Sequence, residues 1–191
     1  MPGKQNLFLY HGGEVSYVAT LNPDTKCETN GFEFTLCSEG PIVRMQVTPE
    51  DTHMAFVTAT RLTSYENAGH LEMYSYNPSN GSIVCDSCNP DGKPATADVY
   101  ASQDGLFLAR DGRTFFSTSE ALVPQDTDEG EDVYEYVDGR PHLITPGTGT
   151  AIPPQGKQAN HGNLESINET PGLVGVDAEG TDVYFSTFDS L

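Results

Sequence analysis

Along most of the chain, apolar and polar residues alternate in short runs bounded by Gly, Pro, Asn and Asp. Alternation over roughly four to eight residues marks a half-buried strand, because successive side chains point to opposite faces of a sheet. In HMAFVT, Met54, Phe56 and Thr58 fall on one face and Ala55 and Val57 on the other. The runs Met73 to Tyr76 and Val133 to Tyr136 are rich in residues that favour strands. The pattern predicts strands over 41–48, 53–60, 70–77 and 82–88, then over 98–102 with 106–109, 113–119, 132–137 and 140–145. No long stretch has helical periodicity; Glu120 to Val123 is the one place where a single helical turn is expected.

The strands recur in units. VTPEDTHMAFVTATRL (47–62), LARDGRTFFSTSEAL (108–122) and VDAEGTDVYFSTFDSL (176–191) each carry a polar turn, an alternating run, and a Phe followed six residues later by Leu. Leu62, Leu122 and Leu191 lie 60 and 69 positions apart. NLFLYHGGEVSYVATL (6–21), LEMYSYNPSNGSIVCDSC (71–88) and DVYEYVDGRPHLITPG (132–147) each read strand, tight turn, strand, and Tyr10, Tyr76 and Tyr136 before the turns are 66 and 60 apart. Their HGG, NPSNG and VDG turns are hairpin chemistry, since Gly and Asn accept positive φ cheaply. The expected division is 1–40, the end of one unit plus an insertion; 41–88 and 89–147, two complete units; and 148–191, a long loop and the start of another. That gives strands in the pattern 2+4+4+2. Connections 22–40, 89–97 and 147–170 are rich in Gly, Pro and Asn, and the last reads as a surface loop.

Composition narrows the classes. The 191 residues include 28 acidic and 9 basic side chains, a net charge of -19, and 19 Gly with 13 Pro, which fits many turns between short strands. The pI is near 4.3 and no basic cluster is present, which argues against nucleic-acid and anionic membrane partners, because phosphates need Lys and Arg. No apolar run reaches the ~18 residues of a membrane span, so no membrane insertion is expected. Met1 to Tyr10 has no apolar core of a signal peptide.

The Thr-Pro-Glu-Asp turn before HMAFVT and the Arg-Asp-Gly turn before RTFFST resemble the Ser-Pro-Asp-Gly repeat of TolB-like (WD-like Pro-Asp repeat) β-propellers. LEMYSYNPSNG resembles their third strand and its turn. CDSCNPDGKPATADVYAS and ALVPQDTDEGEDVYEYVDG are similar to actinobacterial extracytoplasmic members. The sequence departs from the pattern at 47–51, with Glu-Asp for Asp-Gly, and at 176–180, which lacks the Pro. The resemblance implies an all-β, six- to eight-bladed ring of four-stranded antiparallel sheets. Three blade equivalents do not close such a ring, since each blade buries its faces only against neighbours. The expectation is a single incomplete propeller over 1–191, the remainder lying in a parent chain; a half-ring completed by a partner is the other reading.

The four cysteines are Cys27, Cys37, Cys85 and Cys88. A C-x-x-C with two further Cys can hold tetrahedral zinc, but the usual second C-x₂₋₄-C is absent. An even count in an acidic, loop-rich chain fits disulfides and an extracytoplasmic or secreted location better. Cys27 with Cys37 would staple the insertion and Cys85 with Cys88 a local turn, among three possible connectivities. Asp126, Asp128 and Asp132 place carboxylates at spacings that calcium loops use. An EF-hand is not matched: Gly130 stands at position five, Glu131 at six and Val137 at twelve. The plain alternative is a solvated loop, although five carboxylates in seven residues repel one another unless neutralised. The solvated loop is the favoured reading, so no cofactor is expected, and calcium is the one candidate should the site hold one. His11, His53, His70, His142 and His161 form no ligand motif and are expected in solvent; no G-x-S-x-G, phosphate loop or G-x-G-x-x-G occurs. The expected function is a non-enzymatic scaffold whose blade loops at 60–70, 123–132 and 147–170 bind protein, peptide or glycan. The alternatives are an accessory propeller of a prolyl-oligopeptidase-type hydrolase, or a propeller glycosidase or lyase.

Overall fold

The computed structural model of the chain describes residues 4–22, 28–30, 34–36, 41–148 and 172–187. Among them are fourteen strands and no helix. A first hairpin pairs β1 (Gln5–His11) with β2 (Glu14–Leu21). A short one follows, β3 (Glu28–Asn30) with β4 (Phe34–Leu36), inside the insertion expected only as a connection. The second sheet runs in chain order through β5 (Arg44–Val47), β6 (Met54–Thr58), β7 (Glu72–Asn77) and β8 (Ser82–Cys85). The third sheet does the same through β9 (Val99–Tyr100), β10 (Thr114–Thr118), β11 (Asp132–Val137) and β12 (Arg140–Leu143). The last hairpin pairs β13 (Gly172–Val176) with β14 (Val183–Ser186). All pairings are antiparallel, and the 2+4+4+2 pattern is present with the β3–β4 hairpin added to it.

The second and third sheets share one side-chain arrangement. Phe56 stands opposite Tyr74 with the rings stacked at 6.0 Å, and Phe116 opposite Tyr134 at 5.9 Å. The Leu62 amide donates to the Tyr74 hydroxyl and the Leu122 amide to that of Tyr134. The recurring Phe-to-Leu interval is thus the reach from a stacked ring to the hydroxyl beside it. All four rings are buried; aromatic pairs of this kind contribute about 0.5–1.5 kcal/mol beyond their area.

The central strands are covered on both sides. Phe56, Tyr74 and Tyr76 pack with Val18, Ala19 and Leu21 of the first hairpin. Ala55, Val57 and Met73, on the opposite face, join one cluster with Phe116 and Tyr134 of the third sheet and Leu173 and Val176 of the last hairpin. Every residue of β10 is buried, and its polar members are satisfied: Thr114 donates to Asp86, Ser117 to Glu131, and Thr118 Oγ1 accepts from the Glu120 amide. The sheets therefore stack face on face in chain order.

Polar side chains tie each sheet to the next. Asp86 is wholly buried at one junction, accepting from Ser75 Oγ of the second sheet and Thr114 Oγ1 of the third, both at 2.8 Å. Burial pushes its carboxyl up to about 7 against the lowering effect of those hydroxyls. Gln46 on β5 donates to the Gly105 carbonyl and accepts from the Phe107 and Leu108 amides. Arg113 bonds Glu135 within its own sheet and the carbonyls of Glu179 and Gly180 in the last hairpin.

Two expectations fail for local reasons. The strand expected over 98–102 with 106–109 is reduced to β9 plus isolated bridges at Leu106 and Leu108. The chain between them turns toward β13: Ser102 Oγ donates to the Val174 carbonyl at 2.5 Å, and a Cβ at Gly105 would lie 2.4 Å from that same oxygen. The helical turn at Glu120–Val123 is absent because the Glu120 and Leu122 amides are taken by Thr118 and Tyr134.

Candidate functional site

Tight turns gather at one end of the stack and long connections at the other. The turns are 12–13, 48–53, 78–81, 110–113, 138–139 and 177–182. Asp138 and Gly139 both take positive φ, as a two-residue hairpin turn with the right twist requires. Neighbouring turns touch: the His53 ring lies against Gly112, and the Arg110 amide donates to the Ala178 carbonyl. At the opposite end lie 59–71, 86–98 and 119–131, and the start of 144–171. They also touch, since Glu120 accepts from Asn89 Nδ2 and from the Thr96 amide. Residues 149–170 of the expected binding loop at 147–170 lie outside the described residues.

The loops 59–71 and 119–131 occupy equal places in their sheets, sixty positions apart. In the former, Asn67 Nδ2 donates to the carbonyls of Ala59 and His70, and Arg61 pairs with Glu66 at 2.7 Å. Counted sixty positions on in the sequence, Asp126 aligns with Glu66, Asp128 with Ala68 and Ala121 with Arg61, although Asp126 is buried and Glu66 exposed. Thr127 donates through its amide and hydroxyl to the Gly147 carbonyl, and the Gly130 amide donates to Asp128. Asp132 accepts from Thr145 Oγ1, which also takes the Val133 amide.

This folding brings together the three carboxylates singled out in the sequence. Asp126, Asp128 and Asp132 each present an oxygen within 4.8 Å of the other two. Two of them are buried, Asp126 at 6% exposed and Asp132 at 5%, while Asp128 is half-buried. Asp126 Oδ2 accepts from the Tyr134 hydroxyl, whereas Oδ1 is buried with no hydrogen-bond partner. Burial raises the Asp126 carboxyl above its ordinary range and the charges of Asp132 and Asp128 add to it, while the Tyr134 bond and the nearby Asp128 amide oppose it. Burial, then Asp126, pushes Tyr134 upward as well. Among the other acids of the run, Glu131 is buried against Ser117 and Glu129 is exposed.

Cys85 and Cys88 are joined in a disulfide, so their sulfurs are not thiolate ligands, although Glu72 stands within metal-binding reach of both. Glu72 accepts from Ser87, and burial pushes it up to about 8. Cys27 and Cys37 fall outside the described residues. Beside the disulfide an open groove of about 550 Å³ is lined by Thr63, Tyr65, Glu66, Ile83 and Cys85. The sequence held no signal for it, because its walls come from β8 and two separate loops.

The histidines correct the expectation of solvent exposure. His11 is exposed, but His53, His70 and His142 are half-buried, and His70 Nδ1 lies 3.0 Å from Asp98. His161 lies outside the described residues. His11 and His53 share a second groove, of about 600 Å³, at the tight-turn end. The chain matches no protein-family model, no curated protein and no solved structure.

Proposed function

We propose that the chain is a run of blades from a TolB-like β-propeller and serves as a non-enzymatic, extracytoplasmic binding scaffold, holding a protein, peptide or glycan on its long connections. The observation that carries this reading is the segregation of those connections to one end of a rigid stack, next to an open groove. Loops held by a packed scaffold are where recognition residues accumulate. The Cys85–Cys88 disulfide supports an oxidising compartment.

The aromatic module supports incomplete blades at both ends. Phe8 in β1 has the place of Tyr74 and Tyr134, and Phe185 in β14 that of Phe56 and Phe116. Each hairpin thus carries one half of the stacked pair. Phe8, Tyr10 and Tyr17 on one hairpin and Tyr184 on the other are more than half exposed. The strand that completes the first blade sets an apolar residue against Phe8, and further blades of the parent chain supply it.

The test is a screen of peptide and glycan arrays with the chain, followed by hydrogen exchange with any hit. Protection is expected at 59–71, 86–98 and 119–131. Protection confined to the turns at 48–53, 78–81 and 110–113 overturns the assignment of the binding end. Electron microscopy of the chain expressed with its flanking reading frame is expected to give ring-shaped particles, and particles without a ring sink the propeller reading.

A further inference from the structure

We propose that the 119–131 loop and the head of β11 form a calcium site held by Asp126, Asp128 and Asp132. The inference does not depend on the scaffold reading and stands on three observations. The first is geometric. Two oxygens on one calcium can lie no farther apart than twice its ~2.3–2.6 Å bond, or about 5 Å. The three carboxylates meet that limit, with oxygens within 4.8 Å of one another.

The second observation is the orphaned oxygen. The Asp126 side chain is more than nine-tenths buried, and Tyr134 occupies Oδ2, which leaves Oδ1 as the oxygen Asp126 has to offer. A buried acceptor without a partner costs on the order of 1–3 kcal/mol, more when charged, and a cation at this point removes that cost. Three carboxylates also repel one another in a site shielded from water, and a divalent ion neutralises them. Backbone carbonyls and water complete the usual six to eight oxygens.

The third observation comes from inside the chain. In the corresponding loop of the second sheet the carboxylate aligned with Asp126, Glu66, is exposed and has its own cation in Arg61. In the third sheet that arginine is Ala121, and a second carboxylate, Asp128, replaces Ala68. One loop carries its positive charge as a side chain; the other has exchanged that side chain for an additional acidic ligand. The exchange is what recruitment of an external cation looks like.

The experiment uses the full chain freed of metal by a chelator. Calcium is added at constant ionic strength while thermal unfolding is followed, and terbium is titrated in parallel. Tyr134 touches Asp126 and the chain has no Trp, so tyrosine-sensitised terbium emission reports this site against a low background. Calcium is expected to raise the melting temperature and to quench the terbium signal by competition. Asp128→Ala, which copies the Ala68 of the sister loop, is expected to weaken both responses about tenfold or more, since affinity follows the count of charged ligands. Without metal the same variant is expected to melt above the wild type, because one repelling charge is gone. Asp126→Asn, with its Tyr134 contact retained, is expected to lose the responses too. The proposal is overturned if calcium does no more than sodium at equal ionic strength, or if Asp128→Ala keeps the full response.

Discussion

A carboxyl buried between two sheets makes stability depend on pH in an unusual direction. Asp86 has an ordinary value of 3.8 and is pushed up to about 7 in the fold. The folded chain therefore keeps a proton that the unfolded chain releases in mild acid. Where the folded state binds more protons, stability falls as pH rises. The contribution is complete below about 3.8 and is lost by about 7. Each pH unit is worth about 1.4 kcal/mol, so the full effect is about 4 kcal/mol, of which about 2 kcal/mol falls between pH 5 and pH 7 because the folded-state group is itself half titrated at the upper end. For a domain of this size that corresponds to a fall in Tm of ~4–8 °C. Asp86→Asn mimics the neutral side chain: its carbonyl accepts from one hydroxyl while its amide donates to the other. The assay is thermal unfolding by circular dichroism from pH 5 to pH 8 at fixed ionic strength, for the wild type and Asp86→Asn. The variant is expected to lose much of the pH slope and to exceed the wild type at pH 8. A wild-type Tm that is flat or rising over this range, or the same slope in both proteins, refutes the reasoning. Glu72, pushed up to about 8 by burial, acts in the same direction, so Glu72→Gln removes a separate share of the slope.

Other outcomes follow from single contacts. Gly105→Ala drives a methyl group to 2.4 Å from the Val174 carbonyl; it is expected to cost about 1–3 kcal/mol and to raise hydrogen exchange in β13 before β6. Tyr134→Phe removes the hydroxyl that serves the Leu122 amide and Asp126; a loss of about 1–3 kcal/mol is expected in urea unfolding, with no change in m. Reduction of Cys85–Cys88 opens a loop of separation 3, so a loss of no more than about 2 kcal/mol is expected, with exchange rising mainly along 85–92.

Strand positions and the unit period were legible because each unit spends the same side chains on the same task. Phe56, Leu62 and Tyr74 recur as Phe116, Leu122 and Tyr134, and all serve one stacked ring pair and its hydroxyl. The three aspartates were legible as a spacing, but their burial was not, since it depends on Tyr134, Thr145 and Gly147 arriving from elsewhere. The roles of Gln46 and Asp86 were invisible for the same reason: the partners that tie them to the next layer lie 28 to 62 positions away. His70 looked like a turn residue until Asp98, 28 positions on, came to meet it.

Serial stacking has a consequence for how such a chain changes over generations. Because each sheet meets chiefly the one before and the one after, the loops at its ends are held by few other layers. The same independence lets matching loops diverge: one retains an arginine for its carboxylate, and its twin sixty positions later gathers acids instead. Duplicated layers can in this way acquire separate chemistries without renegotiating the core they share.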